Sequence, residues 1–350
     1  MYTAARSSRL VATWLLIGVG MTVIQVALGG ITRLTGSGLS ITQWDVITGT
    51  LPPLNEQQWM AEFAKYRQTP QFQLLNFEFT LSDFKFIFFW EWFHRLWART
   101  IGLVFAFGFI WFLVKKHFKK EMITPLVVLF FLGALQGAIG WIMVASGLTG
   151  DAVYVKPTRL ALHFIFALGL LCYCFWFALQ LLVKKEAIVR NASLRKWNLA
   201  ILLLLVIQLL YGALMAGHKA ATIAPTWPTI NGDWVPSNLF IDEPFLLNFI
   251  DNKILIHFIH RGLAYLLLLL IVLWSVKMIR TQGSALFEQT KKWPLYIVLG
   301  QVLLGIASVL TSTGIIPGHW GAFEWMAQLH QLTGMLLLLS LVWILYLVRD

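Results

Sequence analysis

The sequence predicts an all-α integral membrane protein with eight transmembrane helices, arranged as two tandem, pseudo-symmetric four-helix bundles with both termini in the cytoplasm. Of its 350 residues, 58% are hydrophobic and only 12% are charged, whereas a soluble domain averages about 25% charged residues. Apolar runs of about 20 residues, each long enough to cross a bilayer core of roughly 30 Å, recur along the chain. Basic residues are concentrated in alternate connections between these runs.

Eight apolar runs are evident, and we number them 1 to 8 in chain order. They cover approximately residues 10–30, 86–114, 122–146, 159–183, 197–217, 254–276, 294–312 and 325–348. Run 1 lacks an evident signal-peptidase site and continues into a long polar loop, so we expect a retained helix. The connections on the basic side are short and leave no room for a cytosolic domain.

The net charge of +11 reflects membrane topology. An excess of lysine and arginine in every second connection is the positive-inside pattern, and it places those connections and both termini in the cytoplasm. The residues concerned are Arg6, Arg9, Lys115, Lys116, Lys119, Lys120, Lys184, Lys185, Arg190, Arg195, Lys196, Lys277, Arg280, Lys291, Lys292 and Arg349. We therefore expect membrane lipid around the chain and no nucleic-acid partner.

A recurring pattern divides the chain into two halves. Odd-numbered runs carry the spacing Gln-x-x-x-Gly, and even-numbered runs carry a histidine near their outer end. In chain order these are Gln25 and Gly29, His94, Gln136 and Gly140, His163, Gln208 and Gly212, His260, Gln301 and Gly305, and His330. His94 and His260 are 166 positions apart, and His163 and His330 are 167 apart. We therefore expect tandem halves at residues 1–191, including a long outer loop at 32–85, and at 192–350.

The Gln-x-x-x-Gly pairs have two interpretations. Small residues let membrane helices approach closely, and a glutamine side chain can hydrogen-bond across the interface. This packing role is the favoured interpretation, and a direct role toward a cofactor is the alternative.

The long outer loop contains a short amphipathic helix by its sequence pattern. Asn55 suits the N-cap position with Gln58 three residues later, and Trp59, Phe63 and Tyr66 recur at helical spacing. Such a segment lies on the outer membrane interface or forms a lid. Its counterpart in the second half, at about 218–253, is rich in turn signals.

The four histidines of the even-numbered runs are the candidate ligands. Those runs share one orientation, so similar offsets from their starts mean similar depth. Zinc sites combine cysteine, histidine and carboxylate ligands at short spacing, and that pattern is missing here. Paired histidines from facing bundle helices suit haem iron, which takes two axial imidazoles. We expect two bis-histidine haem pockets, formed by His94 with His163 and by His260 with His330.

Glu91 makes the two halves chemically different. It lies three residues before His94, so both side chains share one helix face, and a buried carboxylate there can transfer protons or stabilise developing positive charge. The counterpart of Glu91 in the second half is His257, whose role as an alternative ligand stays open. This asymmetry indicates that one haem is chemically worked upon and that the other is resident.

Other polar residues receive secondary assignments. The arginines at the water boundary are candidates for contacts with haem propionates, with snorkelling as the alternative; they are Arg95, Arg99 and Arg261. Histidines 117, 218 and 319 lie in loops and receive no role. Cys172 and Cys174 are two apart in run 4 and do not face each other on a helix, so we expect packing residues and no disulfide. Glu78 and Glu324 are interpreted as surface or capping residues.

Several motifs resemble those of the haem A synthase family over nearly the whole chain. They are residues 32–40 (TRLTGSGLS), 43–45 (QWD), 48–53 (TGTLPP) and 84–95 (FKFIFFWEWFHR), together with the matched His163, His260 and His330. The long first loop is similar to that of the mitochondrial and proteobacterial branch. The Gram-positive branch carries a cysteine pair in its outer loops. Residues 38–49 contain no cysteine, which excludes a thiol-based step.

The resemblance implies a specific activity. Members convert haem O to haem A by oxidising a porphyrin ring methyl to a formyl group, through successive hydroxylations and loss of water. By resemblance, His260 and His330 ligate a resident haem b, His94 and His163 hold the substrate haem O, and Glu91 acts in the chemistry. Haem O synthase and an electron-transfer protein are the implied partners, and a homo-oligomer is left open. The implied location is the inner (plasma) membrane of a bacterium, with the haem sites toward the outer face.

Two other functions are compatible with paired histidines. A dihaem b-type electron-transfer protein usually places its haems at opposite depths, whereas all four histidines here lie toward one side. A haem carrier has no use for a buried acid beside a ligand. Glu91 and the common depth of the histidines therefore favour the synthase.

Overall fold

The computed structural model describes residues 2–43 and 48–350, and it confirms the predicted all-α class with eight helices long and apolar enough to cross a membrane. These helices are α1 (Tyr2–Leu34), α4 (Leu81–Val114), α5 (Lys120–Ala145), α6 (Pro157–Leu182), α7 (Ala192–Gly217), α8 (Lys253–Arg280), α10 (Trp293–Leu310) and α11 (Ala322–Leu347). Three short helices complete the set: α2 (Glu56–Tyr66), α3 (Pro70–Leu75) and α9 (Ala285–Thr290). Trp44 and Asp45 of the family motifs, and the side chains of Arg6 and Thr48, lie outside the described residues. The orientation of the termini and the pseudo-symmetry of the halves stay predictions.

Side-chain caps set the starts of the histidine-bearing helices. Thr80 and Asp83 form a capping box at the start of α4. Asn252 accepts hydrogen bonds from the amides of Ile254 and Leu255 at the start of α8. At the start of α11 the Glu324 carboxylate accepts from the Gly321 amide at 2.8 Å, which confirms its capping role. These caps satisfy amides that the first helical turn leaves unpaired.

The chain divides into two compact units, Met1–Ser7 with Trp14–Leu171 and Ser8–Thr13 with Cys172–Asp350. In the first unit, indole N–H groups join α1 to α4. Trp14 donates to the Val104 carbonyl at 3.2 Å, and Trp97 donates to the Met21 carbonyl at 2.9 Å. A membrane interior offers no water to these donors, so the bonds fix the register of the two helices.

The second unit has a dense interior. The buried Asn198 amide of α7 donates to the Leu341 carbonyl of α11 at 3.1 Å, and the fully buried Trp274 of α8 donates to the Leu194 carbonyl. A two-residue parallel strand pair, Val189–Arg190 with Val348–Arg349, joins the chain before α7 to the chain after α11. Among the described residues, Cys172 and Cys174 are in no disulfide.

An aromatic cluster covers the outer end of α4 in the first unit. It comprises Phe63, Tyr66, Phe72, Phe84, Ile87 and Phe88. The Asn55 side chain accepts from the Gln58 amide at 2.9 Å, so the predicted cap and amphipathic helix α2 are confirmed. The Tyr66 hydroxyl donates to Gln71 and accepts from Asn76. Burial raises the pKa of Tyr66 to about 12, so this hydroxyl keeps its proton and its role as donor.

The outer segment of the second unit is organised by two buried asparagines. The Asn248 side-chain oxygen accepts from the amides of Ile241 and Asp242, and the Asn252 amide group donates to the carbonyls of Asn238 and Leu239. A turn lies at Asn231 and Gly232, which both have positive φ values, in agreement with the turn signals of this segment. These bonds fix the loop that leads into α8.

Candidate functional site

Each of the four histidines packs its ring against the glycine of a Gln-x-x-x-Gly pair. A methyl group added at Gly29, Gly140, Gly212 or Gly305 would lie 3.4, 2.8, 3.2 or 2.9 Å, respectively, from a ring atom of His94, His163, His260 or His330. A side chain at Gly140, Gly212 or Gly305 would crowd the imidazole in a close-packed interior, whereas a methyl at Gly29 would make an ordinary van der Waals contact. The glycines therefore act as seats for the rings.

Each glutamine, one helical turn before its glycine, contacts the same histidine. The Gln25 and Gln136 amides donate to the carbonyls of His94 and His163 at 3.2 and 3.0 Å. The Gln136 amide also lies 3.1 Å from Nδ1 of His163. The Gln208 and Gln301 amides lie 3.5 Å from Nε2 of His260 and His330, respectively.

The same glutamines share an unsatisfied atom. Among the described residues, the side-chain oxygens of all four are buried without a hydrogen-bond partner; they are Oε1 of Gln25, Gln136, Gln208 and Gln301. Buried polar atoms without partners are rare in native structures and each needs an explanation. Their recurrence beside four histidines points to a site that supplies a donor when it is loaded.

In the second unit, the rings of His260 and His330 face each other. Their centroids are 6.3 Å apart and their planes cross at 78°. A bond from a metal ion to an imidazole nitrogen is about 2 Å long and the ring centre lies about 1 Å beyond, so two imidazoles on opposite sides of one ion hold their centroids roughly 6 Å apart. The observed separation fits axial ligation of a haem iron by this pair.

His94 and His163 both lie in the first unit, His94 on α4 and His163 on α6. Their pairing across one haem stays a prediction. Within the described residues, no group of three or more histidine, cysteine, aspartate or glutamate side chains is placed to hold a metal ion. Two-histidine sets suit a haem, whose macrocycle provides the remaining ligands of the iron.

Glu91 is almost completely buried and is bound by three donors. Its exposed fraction is 2%. One oxygen accepts from the Ser40 hydroxyl at 2.8 Å and from the Ile41 amide at 2.9 Å, and the other pairs with the Arg95 guanidinium. Because every partner donates, the carboxylate acts purely as an acceptor in a charge-assisted network. Sequence reasoning found Glu91 but missed Ser40 and Ile41, which the outer loop contributes.

Two of the predicted arginines tie outer segments to the histidine-bearing helices. Arg95 donates to the carbonyls of Ile41 and Gln43, and Arg261 donates to those of Ala224 and Thr229. Arg95 directly follows His94 and Arg261 directly follows His260. Each arginine therefore ties a loop segment to the helix that carries a candidate ligand. Arg99 follows on α4, one turn further into the span. A contact of these arginines with haem propionates stays a prediction.

His257 occupies the position in the second unit that Glu91 holds in the first. It is fully buried on α8, one turn before His260. The Ala220 backbone lies beside the ring, but neither ring nitrogen reaches hydrogen-bond geometry with a described residue. The second pocket therefore has an imidazole where the first has a carboxylate held by three donors.

The remaining histidines make local contacts near the ends of helices. The His117 ring lies 2.8 Å from the Ser7 hydroxyl, and the His218 ring lies 2.7 Å from the Ile250 carbonyl. His319 is in an exposed loop beside the Pro317 carbonyl. These contacts are separate from the four ligand candidates.

Comparison with known proteins identifies the family of the chain. The sequence profile of the cytochrome oxidase assembly protein family (COX15-CtaA) matches residues 12–342. The haem A synthase of Novosphingobium aromaticivorans is 43% identical over 342 residues, which are 95% of this chain and 93% of the relative. That of Rhodospirillum centenum is 41% identical over 348 residues, or 99% and 90% of the two chains. That of Paracoccus denitrificans is 40% identical over 307 residues, or 85% and 79%. The chain belongs to the haem A synthase family, the oxidoreductases of haem A biosynthesis.

Proposed function

We propose that this protein oxidises the porphyrin ring methyl of haem O to a formyl group and thereby forms haem A. His94 and His163 hold the substrate haem O, and His260 and His330 hold a resident haem b. The observation that carries this proposal is the presence of two histidine pairs on the membrane helices, of which, among the described residues, the first has the buried carboxylate of Glu91 beside it and the second has His257 at that position. One pocket is equipped for chemistry and the other for permanent binding.

The reaction is a four-electron oxidation of one carbon atom. Two hydroxylations of the methyl carbon give a geminal diol, and loss of water leaves the aldehyde. Written as a half-reaction, R–CH3 + H2O gives R–CHO + 4 H+ + 4 e−. The reaction therefore needs an electron-transfer partner as well as haem O synthase, which supplies the substrate.

The second pocket suits a resident haem. The 6.3 Å separation of the His260 and His330 rings matches two axial ligands on one iron. Bound there, haem b supplies one-electron redox chemistry. The residues of the chain hold it by ligation, and Arg261 closes the pocket by fixing the outer segment at Ala224 and Thr229. His257, in place of a carboxylate, leaves this pocket without a fixed negative charge at that position.

The first pocket suits a substrate that is chemically changed. Ser40, Ile41 and Arg95 hold Glu91 in one orientation, one helical turn from His94. A carboxylate preorganised in a buried site stabilises positive charge without reorganising at the moment of reaction. Of the two roles predicted for Glu91, this environment favours stabilisation of positive charge that develops on the methyl carbon as electrons leave.

The proposed setting is the inner (plasma) membrane of a bacterium, with both termini in the cytoplasm and the haem pockets toward the outer face. The eight apolar helices support a multi-pass membrane protein, and membrane lipid surrounds them. The basic residues of alternate connections support the orientation.

Pigment analysis tests the function. The full chain, its Glu91→Gln variant and the control His319→Ala are expressed in a host that makes haem O but has no haem A synthase of its own. Extracted haems are separated by chromatography. We expect haem A with wild type and the control, and haem B without haem A with Glu91→Gln. Two haem B molecules per chain and no haem A in every sample would favour the dihaem electron-transfer protein instead.

A further inference from the structure

We infer that the four Gln-x-x-x-Gly pairs are positioning elements for the haem ligands: the glycine leaves room for each imidazole, and the glutamine residue contacts the same histidine through its side chain or main chain, so that the ring orientations depend on the odd-numbered spans. This inference rests on the proposed function, because it concerns the orientation of the ligands of bound haem. It assigns a single role to eight residues whose sequence pattern alone indicated helix packing.

The glycine half of the device acts by steric exclusion. At three of the four seats the closest ring atom is Cε1, at 2.8 Å from the added methyl for His163, 3.2 Å for His260 and 2.9 Å for His330. Cε1 lies between the two ring nitrogens, so this contact determines how the ring is turned about its own axis. The effect is specific to position, because a methyl added at Gly300, on the same helix as Gly305, has nothing within 4 Å.

The glutamine position acts on Nδ1 at two of the four histidines, His163 and His330. At His94 the Gln25 amide bonds the main-chain carbonyl, and Nδ1 of His260 has no hydrogen-bond partner among the described residues. In the second unit the main-chain carbonyl of Gln301 lies 3.0 Å from Nδ1 of His330. A carbonyl can only accept, so the proton sits on Nδ1 and Nε2 carries the lone pair that would ligate the iron. Metal-bound histidines commonly donate their other ring N–H to such an acceptor, which fixes the tautomer and the orientation.

In the first unit the same nitrogen has a side-chain partner. The Gln136 amide lies 3.1 Å from Nδ1 of His163. The oxygen and nitrogen of an amide exchange places by rotation of the side chain and are assigned from their neighbours. If Nε2 of His163 ligated iron, Nδ1 would carry a proton, and rotation of the Gln136 amide would present the unsatisfied Oε1 as its acceptor in exchange for the bond to the His163 carbonyl. A side-chain partner that can rotate suits His163, whose haem is a substrate that enters and leaves. A fixed main-chain partner suits His330, whose haem is a permanent cofactor.

The two glycines of the second unit together set the angle between the rings of His260 and His330. Gly212 on α7 and Gly305 on α10 support His260 and His330, whose planes cross at 78°. Crossed axial imidazoles give low-spin ferric haem a strongly anisotropic electron paramagnetic resonance (EPR) signal, whereas parallel rings give the ordinary rhombic signal. The ring angle is therefore measurable without any assay of activity.

The test compares Gly305→Ala with its matched control, Gly300→Ala, in the purified full chain carrying its resident haem. We expect the strongly anisotropic low-spin signal in wild type and in Gly300→Ala. In Gly305→Ala we expect a shift toward the rhombic signal or a high-spin fraction. Gly212→Ala, with the milder 3.2 Å contact, should give a smaller shift in the same direction and provides a second variant if Gly305→Ala does not fold.

The outcomes separate this inference from the proposed function. An unchanged signal in Gly305→Ala, or in Gly212→Ala where only that variant folds, with haem content equal to wild type, would overturn the positioning role. Equal shifts in Gly300→Ala and Gly305→Ala would also overturn it, because the effect would then be general to the helix. Absence of bis-histidine haem from wild type would instead refute the proposed function.

Discussion

The Ser40 hydroxyl donates a hydrogen bond of 2.8 Å to the Glu91 carboxylate, across 51 positions of sequence. Both side chains are at most 2% exposed. The bond joins the loop after α1 to the helix that carries His94, and the Ile41 amide strengthens it at 2.9 Å on the same oxygen. The outer loop therefore contributes directly to the candidate catalytic group and does more than cover the pocket.

We predict that Ser40→Ala slows haem A formation while the chain and its resident haem are retained. A hydrogen bond to a charged group contributes about 1.5–3 kcal/mol, so the loss should be roughly tenfold or more in rate. The measurement is the initial rate of haem A formation per bound haem B. Ser275→Ala is the matched control, since Ser275 is buried in the second unit with no hydrogen-bond partner among the described residues. Equal rates in the two variants would show that Ser40 does not support Glu91.

Arg95→Gln should destabilise the chain more than Arg261→Gln. Both arginines fix an outer segment through backbone carbonyls, but only Arg95 also pairs with a buried carboxylate. Removing one partner of a buried ion pair costs about 3–5 kcal/mol because the other charge is left uncompensated. Thermal unfolding in detergent measures the difference.

The double variant Glu91→Gln with Arg95→Gln isolates the cause of that destabilisation. It should recover most of the stability lost in Arg95→Gln, because no buried charge is then left unpaired. A double variant as unstable as the single Arg95→Gln would assign the loss to the loop contacts with Ile41 and Gln43 instead.

Gln136→Leu and Gln301→Leu should differ in haem retention. In the first pocket the substitution removes the side chain that holds Nδ1 of His163, whereas in the second the main-chain carbonyl of residue 301 still holds His330. Loss of a second-shell partner typically weakens metal-ligand sites by about 10- to 100-fold. Titration of purified Gln136→Leu with haem O, followed by its Soret absorbance, should show this weakening, whereas the haem B content of purified Gln301→Leu should equal that of wild type. Loss of haem B from Gln301→Leu, or unchanged haem O affinity in Gln136→Leu, would argue against different anchors.

The sequence was sufficient for the spans and the candidate ligands, for physical reasons. Bilayer thickness dictates the length of an apolar run, and an ionisable side chain inside such a run is costly enough to mark a site. Four histidines and Glu91 therefore stand out without structural information. The family motifs extend this to an activity.

The contacts that support Glu91 and the four histidines could not be predicted from the sequence in the same way. Ser40 and Ile41 lie in a loop, and no periodicity relates them to Glu91. The Gln-x-x-x-Gly pairs were visible, but the side chain that a glycine accommodates lies on another helix, and helix adjacency is not encoded in the spacing along one chain. The alternation of Gln-x-x-x-Gly with histidine was the available signal, since both recur once in every pair of spans.

His257→Glu gives the second pocket the residue type that the first pocket has at Glu91. It should not create a second reactive site, because Glu91 depends on a hydroxyl, an amide and a guanidinium that converge on it. The ring nitrogens of His257 reach no hydrogen-bond partner among the described residues, so no hydroxyl or amide is placed there as Ser40 and Ile41 are at Glu91. The Arg261 guanidinium, one turn later, is the counterpart of Arg95, and it already donates to two main-chain carbonyls. A buried carboxylate that lacks its full set of donors costs several kcal/mol, about 3–5 by analogy with broken buried ion pairs. We therefore expect a large drop in unfolding temperature for His257→Glu, a much smaller one for the uncharged His257→Gln, and haem A formation at no more than the wild-type rate in both. A stable His257→Glu protein would mean that residue type alone, and not the loop that holds it, distinguishes the two pockets.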